Sequence, residues 1–393
     1  MARMFACPYC YETFAARDIR FRCNTRLSRS GLRCKAERDQ VRVDRLGDRG
    51  ESGPVFTADG RKPVADCPQC GGETTYRVCP VCHSLLPVQF GMVDNRLIAM
   101  VGARNSGKTV LMTVLLHELM NRVGENFRVS LMGSDESTMT RFGSDYEDKL
   151  YERRQMVLGT QSAAAKDNRV DPLVFRFGRI QDGLLGSRAQ TTVLSFFDTA
   201  GEDFNSRESV ELNTRYLSNA DGIIVVLDPL QMRGAKELAQ PDTVMPEADS
   251  NTPQQVLSRI TSMLLARSSG RRAARVRTPI AVVFSKMDAL WHRLPEGSPL
   301  RIQPPQHGRF DVADSLSAHE EVRDLLKQWD GVSLDQTLET NYARYRYFGV
   351  SALGRTPTRD LKVAATGIQP YRVTDPLLWL LSEFGSVPKQ GRG

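Results

Sequence analysis

Beyond Cys82 this sequence has no cysteine: all 8 fall between Cys7 and Cys82, and the rest of the 393-residue chain has none. That excludes disulfide staples and thiol chemistry from the bulk of the chain. Also missing is an apolar run of the ~18 to 20 residues a membrane helix needs. The start, Met1-Ala2-Arg3-Met4-Phe5-Ala6-Cys7, lacks a signal-peptide core, so the expected location is cytoplasmic. There is no second RecA-like lobe of the kind a helicase motor requires. No RNA- or DNA-binding motif accompanies the basic charge. What remains is the composition of a globular protein, 40% hydrophobic and 25% charged. The length predicts two domains, or one with insertions.

The net charge of +7 is uneven, because residues 1–50 hold 12 lysines and arginines against 6 aspartates and glutamates. The basic character therefore belongs to the cysteine-bearing end. The simplest reading is a solvated basic face; contact with an acidic protein surface or nucleic acid is the sharper one.

Cys67-Pro68-Gln69-Cys70-Gly71-Gly72 is followed by Cys79-Pro80-Val81-Cys82-His83. Two C-x-x-C turns facing each other supply four thiolates in a tetrahedron, the signature of a zinc ribbon. Cys7-Pro8-Tyr9-Cys10 opens a second set with the single residues Cys23 and Cys34. The simplest pairing puts Cys7, Cys10, Cys23 and Cys34 around one ion and Cys67, Cys70, Cys79 and Cys82 around another. An interleaved arrangement is the alternative. Four thiolates leave no open coordination position, so the expected role is structural. Disulfides are disfavoured without a secretion signal. His83 is expected to be exposed beside its site. Residues 40–66, rich in Arg, Asp and Gly, read as a mobile connector or long loop.

The densest chemistry lies in Gly102-Ala103-Arg104-Asn105-Ser106-Gly107-Lys108-Thr109, which fits G-x-x-x-x-G-K-[ST]. The buried-strand pattern Leu97–Val101 precedes it, and the helix pattern Val110–Met120 follows. Strand, glycine loop and helix together make a phosphate site. Gly102 and Gly107 allow backbone conformations closed to other residues, which turns successive N–H groups inward. Lys108 can reach the β- and γ-phosphates, and the Thr109 hydroxyl is the expected Mg²⁺ ligand.

Further strands are expected at Asn126–Gly133, Leu173–Ile180, Thr191–Phe197, Gly222–Asp228, Pro279–Phe284 and Arg346–Val350. The strand ending at Phe197 delivers Asp198-Thr199-Ala200-Gly201-Glu202, a D-x-x-G element. There Asp198 can hold Mg²⁺ through water and the Gly201 N–H can sense the γ-phosphate. The strand ending at Phe284 delivers Ser285-Lys286-Met287-Asp288, close to [NT]-K-x-D. The Asp288 carboxylate matches the paired N1–H and N2–H₂ donors of guanine, a pair adenine lacks, and the Lys286 stem would cover the base. Ser285 keeps a hydroxyl but lacks the usual amide. Ser351-Ala352-Leu353 is similar to the S-A-K element whose N–H groups meet guanine O6, with Leu353 in place of Lys. A helix with Pro376 in its first turn, Asp375 to Leu381, is expected to pack against the sheet.

In this order the four elements resemble those of Ras-like, translation-factor-related P-loop GTPases, over roughly residues 95–385. The zinc-ribbon head before a G domain with long insertions resembles the bacterial double-GTPase type, associated with conflict or signalling systems. The resemblance implies an α/β fold, a mostly parallel sheet covered by helices, preceded by a small zinc module. It further implies GTP/GDP and Mg²⁺ binding, slow hydrolysis, and switch segments read by protein partners. The implied division is residues 1–90 for the cysteine module and 91–393 for the nucleotide domain, with insertions near 231–253 and 291–341. Glu202 stands where such proteins place a water-orienting glutamine, and Arg104 where they place a small glycine. Thr160 is the expected switch threonine, with Thr138 and Thr140 as alternatives. Two other functions fit the same features: a nucleic-acid-binding zinc-ribbon NTPase, and a GTP-binding scaffold that no longer hydrolyses.

Overall fold

The computed structural model describes residues 3–157, 172–183, 186–198, 214–241, 243–246, 251–266, 275–304, 307–358 and 360–391; for 181–183, 186–189, 197 and 198 it describes backbone alone. Its centre is a seven-stranded sheet. We label the strands β1 (Asp94–Gly102), β2 (Val129–Gly133), β3 (Leu173–Gly183), β4 (Gly186–Asp198), β5 (Gly222–Leu227), β6 (Ile280–Phe284) and β7 (Tyr345–Gly349). Their spatial order is β2-β3-β4-β1-β5-β6-β7. β4, β1, β5, β6 and β7 run parallel, while β3 pairs antiparallel with both β2 and β4.

Every residue of β5 and β6 is buried. Unbroken Ile, Val and Phe runs of this kind are what a parallel strand covered on both faces requires. One face is covered by α1 (Lys108–Met120) and the carboxyl-terminal α5 (Asp375–Glu383). The other is covered by α2 (Pro253–Ala266), α3 (Val312–Gln328) and α4 (Val332–Asn341). α1 is buried on nearly every side, because Phe142, Tyr146 and Leu150 close over it from outside. Gly222 is pressed against α5: a Cβ there would lie 3.0 Å from both Leu380 and Phe384. α3 packs along β7, so the helical part of residues 291–341 forms the connection from β6 to β7.

β1 lies between β4 and β5, where the strand order reverses. Its carboxyl end is the topological switch point at which open α/β sheets bind ligands.

The cysteine-rich residues form small antiparallel ladders. Strand Arg20–Arg22 lies between Val55–Phe56 and Arg77–Val78. Residues 40–66, expected to be a mobile connector or long loop, instead contribute helix Gln40–Leu46 and strands Glu51–Ser52 and Val55–Phe56 to this module. Asp39 caps helix Gln40–Leu46 by accepting from the Val41 and Arg42 N–H groups, and Gly47 ends it at φ 71°. These cap signals were overlooked because charge and glycine content alone resemble a linker. Among the described residues no helix is long and apolar enough to cross a membrane.

Candidate nucleotide site and cysteine clusters

At the end of β1 the chain turns through the glycine loop into α1. Gly107 has φ 82° and Asn105 φ 59°, both left-handed. Gly102 is needed for a different reason from the one expected: a Cβ there would lie 2.4 Å from the Val226 carbonyl oxygen and 2.7 Å from Ser106 Oγ. The requirement is close approach to β5, not an unusual φ. Lys108 and Thr109 open α1 and are each 6% exposed. The first N–H groups of a helix lack partners within it, and its dipole favours an anion there. Ser106 Oγ is buried without a hydrogen-bond partner among the described residues. Such a polar atom in a glycine-walled turn fits a phosphate group.

Two strand ends hold this loop in place. The Ser285 hydroxyl, just past β6, lies 2.6 Å from the Ser106 carbonyl oxygen and 3.1 Å from that of Leu227. Lys286, at φ 53°, donates from Nζ to the Asn105 carbonyl at 2.8 Å and to Asp228 Oδ2 at 2.5 Å. Asp228 follows β5, is fully buried, and also accepts from the Leu230 N–H at 2.9 Å. Sequence reasoning missed its part. The signal available was an aspartate directly after a wholly apolar strand.

Asp288 is 9% exposed and accepts from Ser351 Oγ at 2.5 Å. The Ser351 oxygen in turn accepts from the Gly354 N–H at 2.8 Å. Burial raises the Asp288 pKa above the ordinary carboxylate value, and the Ser351 hydrogen bond opposes that rise. The segments far apart in sequence that carry Asp288 and Ser351 are thus brought together. Ala352 and Leu353 are half-buried and pack against the core beside α1 and α5. Gly354 allows the turn, with φ 79° and the Gln369 carbonyl 2.1 Å from where a Cβ would be.

β4 brings the Asp198 backbone into register beside Met100 of β1. Its side chain, and Thr160, Gly201 and Glu202, lie outside the described residues. Thr138 lies on helix Glu136–Arg141 and is fully buried. Arg104 is exposed on the loop.

The cysteines form two clusters, and the pairing is interleaved: Cys7, Cys10, Cys79 and Cys82 in one, Cys23, Cys34, Cys67 and Cys70 in the other. This corrects the simplest sequence pairing. The reason is strand direction. Arg20–Arg22 and Arg77–Val78 are antiparallel neighbours, so Cys23 and Cys79, each just past its strand, leave opposite ends of the ladder. Sulfur separations are 3.8 Å for Cys7–Cys82 and Cys10–Cys79, and 3.7 Å for Cys23–Cys70 and Cys34–Cys67. A tetrahedron with Zn–S bonds of about 2.3 Å has edges of about 3.8 Å, so both donor sets fit zinc. Backbone N–H groups of Tyr9, Thr25 and Val81 point at Cys7, Cys23 and Cys79 sulfurs at 3.4 Å. His83 is not exposed, as had been expected, but 7% exposed, with Nδ1 2.9 Å from Asp39 Oδ2. It belongs to neither cluster.

The two clusters face different surroundings. The first packs against the sheet: Cys7, Cys10, Cys79 and Cys82 share a core with Val174 of β3 and Val193 of β4. The second carries the exposed loop with Arg26, Arg29, Arg33 and Lys35, on which Leu27 and Leu32 are 70% and 57% exposed.

A glycine loop at the switch point, clamped by the segment that carries Lys286 and Asp288, is the arrangement of a P-loop protein of the G-domain class. The Double-GTPase 2 family model matches residues 96–329. The chain belongs to the Double-GTPase 2 family. It is 29% identical over 373 residues to a putative ESX-1 scaffolding and assembly protein, SaeC, of Mycolicibacterium smegmatis, covering 88% of this chain and 92% of that one. Among solved structures it is similar to a bacterial selenocysteine-specific elongation factor, with TM-score 0.30 and 16% identity over 75% of this chain, which spans 29% of that factor's length. It is also similar to the G domain of the T. maritima FeoB iron transporter, with TM-score 0.25, 11% identity, and 67% and 91% of the two chains covered.

Proposed function

We propose that this chain is a GTP-operated molecular switch in a bacterial signalling or conflict system, located in the cytoplasm. It has two parts, a cysteine module through about residue 90 and the nucleotide domain beyond. The loop Gly102–Thr109 takes the phosphates, with Lys108 supplying positive charge. Thr109 and Asp198 hold Mg²⁺, which stabilises the negative charge that develops on the phosphates. Asp288 reads guanine, and Ser285, Lys286, Ser351, Ala352 and Leu353 shape the base pocket. Gly201 and Thr160 respond to the γ-phosphate. Glu202 replaces a neutral glutamine with a carboxylate that the γ-phosphate repels, so turnover is slow unless a partner supplies a cation. Two zinc ions hold the cysteine module, and the exposed loop around Leu27 and Leu32 docks a protein partner.

The observation that carries this reading is the Ser351–Asp288 hydrogen bond of 2.5 Å, which orients a buried carboxylate to accept from a base. Calorimetry with GTP, GDP and ATP in Mg²⁺ tests it: guanine nucleotides bind and ATP does not. Asp288→Asn should exchange guanine for xanthine, whose C2 carbonyl accepts the amide proton. Equal affinity for ATP and GTP overturns the reading. Hydrolysis by the purified protein stays below about 1 s⁻¹. A second reading, a GTP-binding scaffold without hydrolysis, is favoured by Glu202 and by the scaffolding role in the relative's name. Tight GTP binding with no phosphate release, even with lysate added, would select it. Nucleic-acid binding has no comparable support.

A further inference from the structure

The side chain of Ser285 has one proton to give. Where the related motif carries Asn or Thr, this chain has a serine hydroxyl, 2.6 Å from the Ser106 carbonyl oxygen and 3.1 Å from that of Leu227. The Ser285 backbone N–H already donates to the Leu227 carbonyl at 2.9 Å, so the single hydroxyl proton is left for the Ser106 carbonyl and the side chain gives the loop one hydrogen bond. The second tie between the loop and the sheet runs through Lys286, whose Nζ donates to the Asn105 carbonyl at 2.8 Å. That ammonium is itself held by Asp228, 2.5 Å away.

Asp228 is fully buried, and its carboxylate accepts from the Leu230 N–H and the Lys286 ammonium. A buried carboxylate needs a counter-cation, and the lysine side chain, 34% exposed, reaches in to provide it. Lys286 also holds a left-handed φ of 53°, which a long side chain adopts only when its surroundings enforce it. Beside the Ser285 bonds, a single carboxylate therefore links the end of β5, the start of the base-reading segment and the phosphate loop through Lys286.

We propose that Asp228 is a positioning residue for guanine-nucleotide binding, acting through Lys286 to supply a second loop tether, at the Asn105 carbonyl, beside the one that Ser285 gives at Ser106. It rests on the reading of Gly102–Thr109 and Asp288 as a guanine-nucleotide site. Without Asp228 the ammonium loses its anchor, the lysine stem leaves the base plane, and the Asn105 carbonyl loses its donor.

The test is a double-mutant cycle on the full-length protein, with GDP affinity measured by calorimetry. Asp228→Asn keeps the shape and the Leu230 contact but removes the charge. It should weaken GDP binding roughly 10- to 100-fold, the usual consequence of losing a charge-assisted hydrogen bond. Lys286→Met should cost a similar factor. The double variant should bind GDP as Lys286→Met alone does, because Asp228 has nothing left to position. A merely structural role would give the same further loss in both backgrounds, and that result overturns the proposal. GDP affinity of Asp228→Asn within about twofold of the parent also overturns it. Should Asp228→Asn alone fail to fold, Lys286→Met and the double variant decide the matter: more than about threefold between them is against it. A parent protein that ignores GDP defeats the underlying reading instead, which keeps the two failures apart.

Discussion

The ring of Tyr11 lies 4.9 Å from that of Tyr216 at an angle of 47°. Tyr11 directly follows Cys10 of the first cysteine cluster, and Tyr216 lies on the helical stretch 214–218 that leads into β5. Around the two rings, Asn219 donates to the Tyr11 carbonyl at 2.8 Å and Arg215 pairs with Glu12 at 3.0 Å. The Tyr216 hydroxyl accepts from the Met100 N–H at 2.9 Å and donates to the Ile98 carbonyl at 3.1 Å. The cysteine knuckle is thereby fastened to the strand that ends in the phosphate loop.

That fastening makes the first cluster part of the nucleotide domain's stability. All three tryptophans, Trp291, Trp329 and Trp379, lie in the sheet-bearing part. Tyr11→Ala should lower the unfolding free energy followed by tryptophan fluorescence by about 3 to 5 kcal/mol. Chelation of metal should lower the same midpoint. A tryptophan transition that ignores both would show that the knuckle hangs free.

Interleaved pairing makes a sharp prediction about thiol protection. Cys34→Ser should reduce bound zinc from two ions to one. Mass spectrometry after maleimide labelling should then find Cys23, Cys67 and Cys70 modified, with Cys7, Cys10, Cys79 and Cys82 protected. Labelling of Cys7 and Cys10 with Cys23 would restore the sequential pairing.

Gly102→Ala should disable the loop while leaving the motif's charged residues intact. The added methyl meets the Val226 carbonyl oxygen at 2.4 Å, and neither strand can yield without disturbing the sheet. Overpacking of this kind costs about 1 to 3 kcal/mol. Calorimetry should show GDP binding lost or weakened by more than about tenfold. Unchanged affinity would mean the loop can shift away from β5.

Guanine binding should be sensitive to acid, because it needs the ionised form of Asp288, whose pKa burial pushes up. Affinity should fall on acidification earlier than for an ordinary aspartate. Ser351→Ala removes the hydrogen bond that opposes the rise, so the midpoint of the fall should move to higher pH. GDP titrations at several pH values check this, and coincident profiles for the two proteins would count against it.

His319 predicts a separate loss of stability in acid. Burial, then the nearby Arg346 and Arg323, depress its pKa to about 4, while Asp335 partly offsets them. Its Nδ1 accepts from the Tyr347 N–H at 3.0 Å, so the neutral ring is the one the fold wants. A depressed histidine contributes stability that is complete above about pH 6.5 and is lost as pH falls towards 4, because the unfolded chain takes up the proton first. The loss amounts to roughly 3 kcal/mol. Urea unfolding of the parent and His319→Gln between pH 7 and 4.5 should show a shallower fall in the variant.

The sequence by itself determined the order of strands and loops in the sheet-bearing part and its family. Apolar runs that stop at Gly102, Asp198, Ser285 and Ser351 can be read as strands because burial of both faces demands an unbroken apolar sequence. Two cysteine sites were equally legible from spacing. Which cysteines share an ion was decided by tertiary structure alone, since antiparallel pairing of Arg20–Arg22 with Arg77–Val78 sends neighbouring thiols to opposite ends. Tertiary structure also decided that residues 40–66 are ordered, that His83 pairs with Asp39, and that Asp228 anchors Lys286. Each of these rests on a contact between segments distant in sequence, whose energy appears only when a fold brings them together, whereas periodicity and motif spacing are local and survive in the unfolded chain.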